Sequence, residues 1–202
     1  KLSITIPDVN ADDPELNIGA NLTGKTNRLV TLLAATPLFD TTSAKQLKSV
    51  SVAGRVKARL NLRRNIGSGK QTLKAKLELK DNSLAAINGL PALDKIRGTV
   101  AFDTGTLSSK GLAVRVNGQA TTLSGKVDLT AGPAGSLELR TRAPHQFWVD
   151  LLRETAGDQR KIPDWVAQLE GRATWVAEVK LAKGAPPLVG LRSDLRGIAL
   201  NL

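Results

Sequence analysis

The residues that could do chemistry are few. The chain has one histidine, His145, no cysteine and 18 carboxylates. A Ser-His-Asp triad needs an imidazole that reaches both a nucleophile and an orienting acid, and a transition-metal site needs a second soft ligand. A lone His beside Pro144 at a helix start supplies neither. The absence of Cys removes thiolate ligands, disulfides and cysteine nucleophiles, although it does not fix a redox compartment. The stretch DVNADDPELNIG (8–19) begins like a calcium loop, with Asp8, Asn10 and Asp12 at its first, third and fifth positions. Its sixth residue is Asp13 where Gly is required, and its twelfth is Gly19 where a bidentate Glu is required, so it reads as a solvated acidic turn. GSGK (67–70) lacks phosphate-loop spacing and opens no helix; it reads as a hairpin turn. Glu78, Asp128, Glu138 and Glu178 fall on the outward positions of alternating segments, where burial cannot raise a carboxyl pKa. These readings predict no enzyme, no cofactor and no metal.

The elements that would position any site are strands. In VSVAGRVKARLNLRR (50–64), Val50, Val52, Gly54, Val56, Ala58, Leu60 and Leu62 share one parity, and Arg55, Lys57, Arg59 and Arg63 the other. Side chains of a strand alternate between its faces, so this is a ribbon with one dry side and one cationic side. At about 3.3 Å per residue the part up to Leu62 would reach about 43 Å, far longer than a usual strand. The alternation recurs in 2–6, 16–22, 73–79, 96–102, 112–116, 123–129, 137–139 and 173–181. Turn signals at 65–70, 103–111, 116–119 and 131–135 separate the segments, and such short connections imply antiparallel neighbours in a meander.

Three stretches break the period. Residues 26–36 place Leu29, Leu32 and Leu33 on one helical face before Pro37. Residues 145–156 follow Pro144, stop at Gly157, and stack Phe147 on Leu151 and Trp148 on Leu152. Residues 163–169 read as a third short helix showing Trp165 and Leu169. All three are expected to cap part of the apolar sheet face.

A net charge of +11 and a pI of 10.3 favour anionic partners. Base-stacking single-strand binders interleave aromatics with their cations. None lies among Arg55, Lys57, Arg59 and Arg63, so no specific nucleic-acid binding is expected. Most of the basic residues read as a solvated outer face. No apolar run approaches the ~18 residues of a spanning helix, and an outer-membrane barrel would need aromatic girdles, whereas the chain has three Trp, three Phe and no Tyr. Beginning Lys-Leu-Ser and ending within an apolar alternation, the sequence reads as one β-groove fragment, residues 1–202, of a longer protein.

An apolar face of roughly forty side chains, each worth about 1.5–3 kcal/mol when buried, exceeds what three short helices can cover. Either the sheet closes on itself as a β-sandwich, a structural or protein-interaction module without lipid, or it stays an open curved groove that takes hydrocarbon. The run PPLVGLRSDLRGIALNL (186–202), the stretch IRGTVAFDTGTLSSKGLAVRVNGQ (96–119), the strand GRATWVAEVKL (171–181) and ATPLFD after the first helix resemble the periplasmic repeat region of the YhdP branch of the AsmA-like family. The resemblance implies a mainly β fold: an elongated, twisted and curved antiparallel meander forming a groove, with two or three short amphipathic helices. It further implies an inner-membrane-anchored protein of a Gram-negative bacterium, its periplasmic groove carrying glycerophospholipid acyl chains towards the outer membrane. The membranes themselves would be met by parts outside these residues. On that reading Val50, Val52, Val56, Leu60, Leu62, Leu73, Leu77, Leu79, Val100, Phe102, Val114, Val127, Trp175 and Val179 line the groove, and Gly54, Gly98, Gly125 and Gly197 permit bends or bulges.

Overall fold

The computed structural model describes residues 1–34, 50–86, 91–130, 132–156 and 169–200. The strands are β1 (Leu2–Thr5), β2 (Glu15–Lys25), β3 (Val52–Asn65), β4 (Gln71–Leu84), β5 (Leu93–Asp103), β6 (Thr106–Val116), β7 (Gln119–Asp128), β8 (Ala134–Ala143), β9 (Leu169–Gly171), β10 (Ala173–Leu181), β11 (Leu188–Ser193) and β12 (Ile198–Leu200). Helix α1 (Thr26–Ala34) joins β2 to the segment before β3, and α2 (His145–Ala156) follows β8. Ten strands form one antiparallel sheet in the order β1-β2-β3-β4-β5-β6-β7-β8-β10-β11. The order is that of the chain apart from β9, which pairs with β12 in a separate two-stranded ribbon. The sheet is open, and its end strands β1 and β11 do not pair with each other.

Two of the expected helices are present; the first is described over Thr26–Ala34, and 35–36 lie outside the described residues. Of the third, 163–168 lie outside the described residues, and Leu169 begins β9. The long ribbon begins at Val52, so Val50 precedes it, half-buried. The turn expected over 103–111 occupies only Thr104 and Gly105, both at positive φ, and β6 starts at once at Thr106. Asn117 and Gly118 (φ 46° and 78°) make the same tight turn between β6 and β7, the two-residue form that matches strand twist.

Alternation is clear along β3 and β4, but in β4 its phase slips. In β4 the inward residues are Leu73, Ala75, Leu77 and Leu79, then Asn82 and Leu84. The slip is a bulge: three steps of β4 from Lys80 to Ser83 oppose two of β3, Ala53 to Arg55. β5 carries an extra residue between Asp94 and Arg97, and β6 one between Ser109 and Leu112. Asp81 and Lys95, the inserted residues of β4 and β5, both adopt φ 51°. Each bulge bends its strand and adds twist, and three in consecutive strands curve the sheet round its apolar face. The concavity appears in like residues: outward Ala101, Ala113 and Ala120 are exposed, whereas inward Ala20 and Ala75 are half-buried.

Among the described residues, the two helices cover only part of this concave face. Under α1, Leu29 packs on Val56 and Ala58, with Leu22, Leu60, Leu77 and Leu79 around them. Under α2, Trp148 and Leu151 pack with Ile96, Leu112, Val114, Val116 and Ala177. Val116 is fully buried.

Candidate functional site

The line of bulges divides the inner face into two parts. On one side lie Leu84, Leu93, Ile96 and the Leu112–Val114–Val116 row, which belong to the core sealed by α2. On the other side the strands continue past the helices. There Ile18, Leu62, Val127, Leu137 and Leu181 face inward, belong to neither packed cluster and remain half-buried. Their rows are continuous: Ile18 opposes Leu62 and Leu62 opposes Leu73 across β2–β4, while Val127 lies beside Leu107, and Leu137 beside Val179. The result is an apolar trough whose wall is built from the sheet itself.

Asn82 fixes the boundary. Its side chain is 1% exposed, donates to the Arg55 carbonyl at 2.7 Å and accepts a hydrogen bond from the Thr26 hydroxyl. One buried amide thereby ties the β4 bulge to β3 and to the first residue of α1. A buried amide without partners would cost several kcal/mol, so the position is specified by its contacts. Gly54 (φ 115°) completes the joint, because a Cβ there would lie 2.6 Å from the Asn82 Cα. At the sealed end Trp175 donates its indole N–H to the Ala143 carbonyl at 3.1 Å, and its ring lies 6.5 Å from that of Trp148. Trp148 Nε1 and His145 Nδ1, one helical turn apart on α2, are buried without a hydrogen-bond partner.

Of the fourteen residues expected to line the groove, thirteen lie on inward strand positions and Val50 lies just before β3. The structure distributes them unevenly. Val56 and Val114, each 3% exposed, sit beneath α1 and α2, and Leu79, Val100 and Trp175 fringe the α2 cluster. Val52 lies opposite Leu84. Leu60 and Leu77 fringe the α1 cluster; Leu62, Phe102 and Val127 are half-buried outside both clusters, whereas Leu73 and Val179, also outside them, are buried, at 8% and 5% exposed. The role of Asn82 was not foreseen from the residues, although the apolar phase slip from Leu79 to Leu84 across Asp81-Asn82 signals it.

Chemistry beyond apolar contact is sparse. No cluster of three metal-ligating side chains occurs among the described residues, and none of their helices is long and apolar enough to cross a membrane. The stretch 8–19 corrects one expectation. Asp13 is not simply solvated: its carboxylate accepts the Gly67 and Ser68 backbone N–H groups at 2.8 and 3.3 Å, clasping the β3–β4 turn. The Ser68 hydroxyl and these N–H groups hold its pKa below the ordinary value.

The chain belongs to the YhdP family: the family described as YhdP protein matches it over residues 1–202. No curated protein and no solved structure matches it.

Proposed function

We propose that this chain is a segment of a periplasm-spanning, inner-membrane-anchored AsmA-like protein of a Gram-negative bacterium whose trough carries glycerophospholipid acyl chains between the two membranes. One observation carries the reading: among the described residues, inward Ile18, Leu62, Val127, Leu137 and Leu181 lie outside the clusters packed under α1 and α2 and stay half-buried in an open, concave sheet. A sheet face left that way loses burial worth about 1.5–3 kcal/mol per large side chain unless apolar matter fills it. Acyl chains fill such a space without directional bonds, while the phosphate headgroup stays at the open side in water. Selectivity among tails is weak, because an aliphatic wall discriminates by only about 1–3 kcal/mol per methylene. The chain acts as a carrier surface and transforms nothing.

The test is organic extraction and mass spectrometry of the chain purified from a Gram-negative host under native conditions. Co-purifying phospholipid, reduced by a charge placed at Leu62 in a variant that still folds, supports the reading. A folded protein without lipid, refractory to loading from vesicles, refutes it and favours a structural or protein-interaction module.

A further inference from the structure

The outer face of β2–β4 is a lattice of cations. Five rows run across the three strands: Lys25–Arg55–Lys80, Thr23–Lys57–Glu78, Asn21–Arg59–Lys76, Gly19–Asn61–Lys74 and Asn17–Arg63–Thr72. They hold eight cations against one carboxylate, Glu78, and every one of these cations is exposed. Lys74 pairs with Asp103 at 3.3 Å; the other seven form no ion pair among the described residues. Arg55 directly opposes Lys80, and Arg59 directly opposes Lys76. Like charges facing each other across strands are destabilising. At the other end of the same face Glu138 likewise opposes Glu178 directly, but there each opposed charge has a counter-ion. There Glu138 pairs with Arg140 and Arg192, and Glu178 with Lys180. Within the lattice a depression of about 180 Å³ is lined by Asn61, Arg63, Thr72 and Lys74, all of them hydrogen-bond donors.

From these observations we infer that the outer face of β2–β4 is a docking surface for an anionic phospholipid bilayer, with lipid phosphate seated between Arg63 and Lys74. Partner chemistry is decided by what the lattice lacks. Docking to a folded acidic protein relies on buried aromatic or aliphatic anchors at the centre of the interface, and the five rows contain none. Binding of single-stranded nucleic acid relies on aromatic stacking platforms, also missing. A fluid bilayer needs neither, since its headgroups diffuse to match whatever spacing the cations present. Clusters of four to eight Lys and Arg act in this way on anionic lipid. The surface is opposite to the trough, so docking and acyl binding do not compete for side chains.

The experiment is co-sedimentation of the 202-residue chain with phosphatidylcholine vesicles, with and without about one-third phosphatidylglycerol. Binding is expected only to the anionic vesicles, weakening steeply with salt as the Debye length shortens. Each cation removed should lower the partition coefficient about fivefold. The quadruple variant Arg55→Gln, Arg59→Gln, Lys76→Gln, Lys80→Gln should therefore lose it by a few hundredfold while keeping its melting transition. Arg140→Gln with Lys180→Gln, which removes two ion-paired cations from the other end of the face, should change it far less than the roughly twenty-five-fold that two lattice cations would give. Should the quadruple variant fail to fold, the single variants Arg59→Gln and Arg63→Gln give the same fivefold readout. Equal binding to both vesicle types, an undiminished quadruple variant, or tight single-stranded DNA binding at physiological salt without vesicle binding each overturns the inference. Lipid extracted with the quadruple variant should match that of the parent chain, so failure here is separable from failure of the trough reading.

Discussion

A charge placed on the inner face should have opposite consequences beneath a helix and in the rows outside both packed clusters. Val116 is fully buried in the core sealed by α2. Val116→Asp forfeits about 1.5–3 kcal/mol of burial and adds several kcal/mol for a carboxylate with no partner. That total rivals the 5–15 kcal/mol that holds a typical domain together, so the variant should be unfolded or molten. Leu62 is half-buried between Ile18 and Leu73, outside both packed clusters. Its substitution by Asp forfeits about half the burial term, roughly 1 kcal/mol, and the carboxylate reaches water along the open trough. The expected cost is about 1–2 kcal/mol, with a cooperative transition retained. Urea unfolding followed by circular dichroism measures both, and phosphorus in an organic extract measures the lipid carried by Leu62→Asp. If Leu62→Asp collapses the fold as completely as Val116→Asp, the trough is a sealed core and the reasoning fails. Should both variants remain folded, the sealing role given to α2 fails instead.

Three further outcomes follow from the joint and from the acidic turns. Gly54→Ala should cost at least about 2 kcal/mol, since a positive φ alone costs about 1–3 kcal/mol and the new Cβ meets Asn82; Gly24→Ala, with nothing within 4 Å, should be neutral to slightly stabilising. Asn82→Ala should cost about 2–4 kcal/mol by leaving the Thr26 hydroxyl and the Arg55 carbonyl buried without their partner, and a double-mutant cycle with Thr26→Ala should show coupling. The Asp13, Asp81 and Asp128 carboxyls are all held below their ordinary 3.8, respectively by Ser68, by Arg97 and by the Thr130 N–H and hydroxyl; their contribution is complete above that value and disappears as pH falls through the lowered native values. Thermal melts from pH 6 down to pH 2.5 should decline only below about pH 4, and Asp13→Asn should flatten part of that decline.

The sequence makes some of this legible and hides the rest for physical reasons. Period-two patterning specifies a strand and its inward face locally, so β2, β3 and β10 and the side of the sheet that each residue faces could be read from residue types. Pro144 precedes α2, and its apolar spacing identifies its buried side; hence the helix starts where the residues place it. What patterning does not convey is which inward residues a helix then covers. Val56 and Leu62 look identical in the ribbon, yet α1 sits on the first and not the second. That distinction depends on the path of the chain between elements, a long-range property. The clasp of Asp13 on the β3–β4 turn is equally non-local, joining residues more than fifty positions apart.

The bulges explain how one repetitive pattern yields two different surfaces. An uninterrupted alternation over fourteen residues would give β4 a single flat face, uniformly suited to being covered or to being left open. The inserted Asp81 shifts the inward phase, bends the strand and brings Asn82 inward, where its amide is satisfied by Thr26 and Arg55. Since Thr26 is the first residue of α1, the same contact that completes the bulge also fixes where the helix begins, and therefore where its cover starts. Lys95 and the residue inserted after Ser109 carry the bend into β5 and β6, beside the Leu112–Val116 row on which α2 rests. Burial of each inserted polar side chain would be costly, so Asp81 pairs with Arg97 at 2.6 Å on the outer surface, and Lys95 and Lys110 point to water. Helix cover, sheet curvature and the length of the uncovered trough are thus set together by three insertions.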